Sequence, residues 1–151
     1  MDLIKELSLL ASALKEDDID FALCGGLAMA IYDFPRATLD IDIFVDGKKL
    51  AQIKKSFSAI GYSIDSGLME FKKESIKIAR MCKILNSPQE TLVLDMLLVT
   101  PDIIDVWQSR TVVKWEYGEL PVVSPEGLIK LKSIRGSGQD QDDIMHLKKI
   151  L

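Results

Sequence analysis

The sequence predicts an α/β (α+β) fold: a mixed β-sheet flanked by helices, with two helices at its C-terminal end. Three observations carry this reading. Short apolar runs of strand length at 21–24, 39–45 and 92–99 are separated by segments with helical spacing of their apolar residues. The run at 92–99 is apolar on both parities, as expected of a strand covered on both faces. Ser124-Pro125 supplies a side-chain cap and a proline of fixed φ for a helix start, and a further helical segment follows Gly136-Ser137-Gly138.

Taken in order, Leu3, Leu7, Leu10, Ala11 and Leu14 recur at helical spacing and make residues 2–16 an amphipathic helix. Residues 21–24 form a short apolar strand that ends at Gly25-Gly26. The Ala and Met content of 27–32 suits a short buried helix, closed by Pro35 because the residue before a proline is pushed out of helical conformation. A strand over 39–45 comes next, then a turn at Asp46-Gly47 in which Asp46 is placed to cap a helix. Leu50, Ile53, Phe57 and Ile60 are the apolar stripe of that helix, Lys48, Lys49, Lys54 and Lys55 lie largely off it, and Gly61 stops it. Residues 62–73 and 76–85 read as two more strands, and Pro101 opens a short helix over 101–109. A hairpin of 111–117 and 120–123 turns at Gly118, and helices from Ser124 to about Gly136 and over 139–151 complete the chain.

With 151 residues the chain fits one domain, 1–151, whose C-terminal helices (124–151) pack on the sheet. A net charge of −4 argues against a broad nucleic-acid-binding surface, which needs net basic charge, while leaving room for a local basic groove. Cys24 and Cys82 lack zinc-site or disulfide-framework spacing and read as buried free thiols. No apolar run reaches the roughly 18–20 residues of a membrane span, and the first residues carry acids where a signal peptide needs basic ones. A cytoplasmic protein with no membrane partner is expected.

The chemistry is concentrated in three acids. Asp40 and Asp42 stand two apart in a strand, so their side chains share a face and repel one another in an apolar segment. Such an arrangement calls for a cation or hydrogen-bond donors. Asp95 interrupts the apolar run 92–99 in the same way. Converging, the three would suit two Mg2+ ions (Mn2+ is the alternative), which favour hard oxygen ligands and keep several waters. Asp95 would either help coordinate the ion that activates an attacking hydroxyl or accept that hydroxyl's proton. The plain alternatives are a turn acid at Asp40 and a core acid paired with an arginine at Asp95. Gly25-Gly26 at a strand end lets backbone amides approach phosphate oxygens, although a turn or tight packing also explains a diglycine. Arg36 and Thr38 precede the acid strand. Arg36 suits a triphosphate oxygen, or a place on the surface or against Asp40.

Together, Gly25, Gly26, Asp40, Asp42 and Asp95 resemble the nucleotidyltransferase superfamily with the DNA polymerase β-like fold. The stretch from Arg36 to Asp42 resembles most the bacterial abortive-infection-type (AbiEii-like) nucleotidyltransferases of toxin–antitoxin systems. The C-terminal part adds Lys132, Gly136, Asp140 and Asp143-Ile144 at the family's offsets. It departs at Ser137 and Gln139, where relatives carry arginine and lysine, and Arg135 lies two residues out of register. The resemblance implies that Asp40, Asp42 and Asp95 are catalytic and metal-binding, and that Gly25, Gly26, Arg36, Thr38 and Lys132 hold an NTP. The implied reaction moves a nucleoside monophosphate to an acceptor (RNA, protein or small molecule) and releases pyrophosphate, with an antitoxin as an implied partner.

His146, the only histidine, reads as structural or solvent-exposed, and Asp140, Asp142 and Asp143 read as acids favoured at a helix start. Trp107 and Trp115 read as core or interface anchors. Of the rival readings, an aspartyl-nucleophile phosphatase would want its acid pair at a strand's end, whereas Phe44-Val45 continue this strand. A catalytically silent module of the same fold, binding a nucleotide or a protein, is the rival from another class.

Overall fold

In the computed structural model, which describes residues 2–151, Asp2 caps the first helix, α1 (Leu3–Glu16), by accepting from the amides of Ile4 and Lys5. Strand β1 (Phe21–Cys24) runs straight into α2 (Gly25–Ile31), so this helix begins at the diglycine itself, two residues earlier than expected. After β2 (Asp40–Val45), Asp46 caps a single 3-10 turn that leads into α3 (Leu50–Ser58). The expected strands appear as β3 (Ile64–Phe71), β4 (Ile76–Ile84) and β5 (Thr91–Leu98). A 3-10 turn at Pro101–Ile103 opens α4 (Ile104–Gln108), and β6 (Thr111–Trp115) and β7 (Gly118–Val122) form the hairpin. Ser124 caps α5 (Pro125–Arg135), Gly136 ends it at φ +72°, and Ser137 caps α6 (Gly138–Lys148).

The seven strands make one mixed sheet in the order β3-β4-β5-β2-β1-β7-β6. The pairs β2–β5 and β1–β7 are parallel and the other four antiparallel. Alternation along β2 sends Ile41, Ile43 and Val45 to one face, opposite Leu94, Met96 and Leu98 of β5, and all of them are buried. The buried stripe of α1 (Leu7, Leu10, Leu14) and that of α3 (Ile53, Phe57) belong to the same core, with Tyr62 between them. Tyr62 donates to Glu6, which also pairs with Lys83 at 2.7 Å.

Asp40, Asp42 and Phe44 occupy the other face. Trp107 of α4 closes its far end, edge-on to Phe44 with ring centroids 5.4 Å apart, and α5 packs against α4 and α6. Strand β5 corrects one expectation. Leu92, Leu94 and Met96 are buried, but Val93 and Leu97, on the face of Asp95, are only half-buried. That face is the floor of an open cleft, which is why a run apolar on both parities is not covered on both sides. Cys24 and Cys82 are free and buried, and among the described residues no helix is long and apolar enough to cross a membrane.

A candidate nucleotide-binding active site

Strand register builds the centre of the site. Cys24 of β1 lies opposite Asp42 of β2, Asp42 opposite Asp95 of β5, and Asp95 opposite Arg80 of β4. Residues directly opposed in neighbouring strands share a face, so these four form one row across the sheet, with Asp40 one step back on the same side. Over this row opens a cleft of about 860 Å3. Asp40, Asp42, Asp95, Gly25, Gly26, Arg36, Thr38 and Lys132 all line it, so the eight residues singled out in the sequence are brought together.

The acids differ sharply in their company. The carboxylates of Asp40 and Asp42 accept no hydrogen bond and form no ion pair with any described residue; Thr38 reaches only the Asp40 carbonyl, at 3.3 Å. Burial, then the charges of Asp95 and Asp40, push the Asp42 carboxyl up to about 6 against the pull of Arg135 and Lys132. Burial and the Asp95 charge raise Asp40 as well, with Arg80 opposing them. Burial, followed by the neighbouring Asp42, likewise raises the Cys24 thiol, which leaves it an inert structural group.

Asp95 is paired on both oxygens. Arg80 donates from Nε to Oδ1 at 2.8 Å and from Nη2 to Oδ2 at 3.0 Å, a two-pronged fork. Of the alternatives open at the sequence level, the acid paired with an arginine is therefore what the structure contains. Among the described residues no three acids, histidines or cysteines stand close enough to hold a metal ion as they lie.

Both glycines are tied to this row. Gly25 has φ +67°, and a Cβ on it would lie 2.3 Å from Asp42 Oδ2. A Cβ on Gly26 would lie 3.0 Å from Thr38 Oγ1. The diglycine thus lets the β1–α2 junction pass directly beneath Asp42 and Thr38.

A second charged layer, from α5 and α6, closes the other wall. Asp143, almost fully buried, pairs with Lys132 at 2.9 Å and with Arg36, and accepts from Gln139 Nε2 at 3.2 Å. Burial works against its charge, but the Lys132 ammonium and its other donors hold the Asp143 carboxyl below the usual range. Asp143 is therefore the counter-ion of two cations as well as an acid near a helix start, and Arg36 pairs with it rather than with Asp40.

Asp140, fully buried, takes a fork from Arg135 (Nε to Oδ2, 2.7 Å) and bonds to the Ser137 amide and hydroxyl. Burial opposes its ionisation, yet these donors hold Asp140 down to about 2. This accounts for the departures from the family pattern. Ser137 and Asp140 form a reciprocal cap on α6, Gln139 steadies Asp143, and Arg135 stays on the cleft wall with its side chain 64% exposed. His146 packs on Phe34, ring centroids 4.8 Å apart, away from the acids.

Sequence reasoning missed Arg80 and the role of Asp143. Arg80 lies in an ordinary mixed strand, and only the β4–β5 register sets it against Asp95. The far end of the cleft, lined by Met69, Phe71, Ile76 and Ile78, was likewise invisible until β3 and β4 were placed beside β5.

Comparison with known proteins agrees with this architecture. Solved structures share the fold, among them these three. A Thermotoga maritima protein assigned as a nucleotidyltransferase superposes with a TM-score of 0.67 at 17% identity, over 99% of this chain and 94% of that one. An antigenic nucleotidyltransferase-like protein from Paracoccidioides brasiliensis gives 0.60 at 22% identity, over 97% and 75%. ANT(2")-Ia, solved with adenylyl-2"-tobramycin, gives 0.61 at 13% identity, over 96% and 87%. None of the curated proteins matches the chain in sequence. The family model described as nucleotidyl transferase AbiEii toxin, type IV TA system, matches residues 8–135, most of the length from α1 to the end of α5, and the chain belongs to that family.

Proposed function

We propose that the chain is a metal-dependent enzyme that transfers a nucleoside monophosphate from an NTP to an acceptor hydroxyl and releases pyrophosphate. The observation that carries this reading is the pair Asp40 and Asp42, two cleft-lining carboxylates with no partner among the described residues, set in register beside Asp95. Half-buried like charges without donors are costly unless something external neutralises them. The donor set also fits the ion, since hard carboxylate oxygens on one strand face suit Mg2+, with Mn2+ as a substitute. Bound there, two such ions would neutralise phosphate charge and lower the pKa of the attacking hydroxyl.

The chain's own residues divide the remaining work. Asp40 and Asp42 would hold the ions, and Asp95 would act at the acceptor hydroxyl, as ligand or as proton acceptor. Gly25 and Gly26 leave room at the β1–α2 junction for the triphosphate, with Thr38 beside them. Arg36 and Lys132 supply positive charge to the leaving pyrophosphate from their place on Asp143. Attack in line with the departing group then brings the acceptor in over Asp95, from the side of β4 and β3. We propose a cytoplasmic toxin held in check by an antitoxin partner as its setting.

A second reading, a module that binds a nucleotide or a protein without turnover, draws on one observation: Asp95 is already satisfied by Arg80. Calorimetric titration with ATP, GTP, CTP and UTP, with and without Mg2+, tests the first reading. At least one NTP should bind with Mg2+ present and much more weakly without it. Equal binding in both conditions would favour the silent module, and no binding at all would sink the enzyme and leave only a module that binds a protein.

A further inference from the structure

Resting on the metal-dependent reading above, we infer that Arg80 is a built-in occupant of the metal site. Its guanidinium takes the place of a cation at Asp95, and it must leave before the third carboxylate can serve. Three observations carry this. The fork engages both Asp95 oxygens, at 2.8 and 3.0 Å, so neither is left unshared. Asp42 lies directly opposite Asp95 and has no donor of its own, so the row and Asp40 one step behind it hold three acids against a single cation of the row, placed at one end. Arg80 also has somewhere to go. Its side chain is 38% exposed at the cleft wall, whereas Asp95 is only 12% exposed and fixed within a central strand.

The energetics favour exchange over permanence. Half-exposed guanidinium–carboxylate pairs are worth far less than buried ones, because solvent screens them. A divalent ion shared by Asp42 and Asp95 relieves repulsion that Arg80, bonded to Asp95 alone, leaves in place. Arg80 therefore keeps Asp95 ordered and charge-balanced in the empty protein and sets a threshold that metal binding must exceed. It is a positioning residue, acting through Asp95.

The test uses Mn2+ alone as probe, without nucleotide, and counts free Mn2+ by electron paramagnetic resonance over native protein, Arg80→Met and Asp42→Asn. Arg80→Met should bind Mn2+ tighter than native by about tenfold or more, since the competing cation is gone. It should also gain more thermal stability from Mn2+ than native does, although it starts less stable in chelator. Asp42→Asn should abolish binding. If Arg80→Met binds no tighter than native while Asp42→Asn still abolishes binding, the inference is overturned and the metal reading stands. If no variant binds Mn2+ saturably, both fall.

Should Arg80→Met fail to fold, the native protein decides through the Nε–H resonance of Arg80. Its hydrogen-bonded shift should be lost as Mg2+ is added. An unchanged resonance, while amides around Asp42 move, would overturn the inference.

Discussion

Replacing Asp42 by Asn should stabilise the metal-free protein at neutral pH, and the gain should vanish in acid. The folded chain holds the Asp42 proton to about pH 6, against 3.8 for an unperturbed carboxyl. Between those values the folded state binds more protons than the unfolded one, so stability falls as pH rises through the window. Above about pH 6 the whole penalty is present. Two pKa units correspond to about 3 kcal/mol at most. The half-exposed carboxylate and the retained polar amide reduce that to about 1–2 kcal/mol, or a few degrees in Tm for a chain this size. Asn is close to Asp in shape, so the contact beneath Gly25 is kept. Thermal unfolding in chelator at pH 7.5 and near pH 4 is the assay. The mutant should melt higher than native at pH 7.5 and level with it near pH 4, and added Mg2+ should raise native and leave the mutant unmoved. An Asp42→Asn protein that melts several degrees lower in chelator at pH 7.5 would make Asp42 structural and refute the reasoning.

Gly25→Ala, with φ +67° and a Cβ forced to 2.3 Å from Asp42, should cost about 2–4 kcal/mol in a denaturant titration; a loss under about 1 kcal/mol would mean the junction is more pliable than drawn. Asp143→Asn strips the counter-ion from buried Lys132 and from Arg36, so it should destabilise by about 2–4 kcal/mol. By contrast Asp105→Asn, which breaks the exposed pair with Lys130, should leave the denaturation midpoint close to that of native in the same titration. Mn2+ affinity of the native protein should rise from pH 5 to pH 7, because the ion competes with the proton that Asp42 holds to about 6; a flat profile by calorimetry would put the ion elsewhere.

The elements legible in the sequence are those fixed by local physics. Ser124 caps α5 as expected, and Asp46 caps the 3-10 turn that leads into α3, because a cap is decided within three residues. The acid pair was legible because period two along one strand sets Asp40 and Asp42 on one face whatever surrounds them. What could not be read is what depends on register between distant strands. Nothing near Arg80 announces that it will lie opposite Asp95, and nothing near Asp143 announces Arg36. The diglycine was half legible. Its lack of side chains was evident, but its fit beneath Asp42 and Thr38 needed the β1–β2 pairing. The half-covered face of β5 went unread for the same reason, since cover depends on which helices reach it.

The most direct test of the central claim follows the α-phosphate. Native protein and Asp42→Asn, each with Mg2+, would be given α-labelled NTPs together with a heat-denatured cell extract that supplies RNA, protein and small-molecule acceptors. The account predicts that native protein moves label from one NTP to an acceptor with one pyrophosphate released per transfer, and that Asp42→Asn transfers none above background. Label left in intact NTP by the native protein, or equal transfer by native and Asp42→Asn, would contradict it.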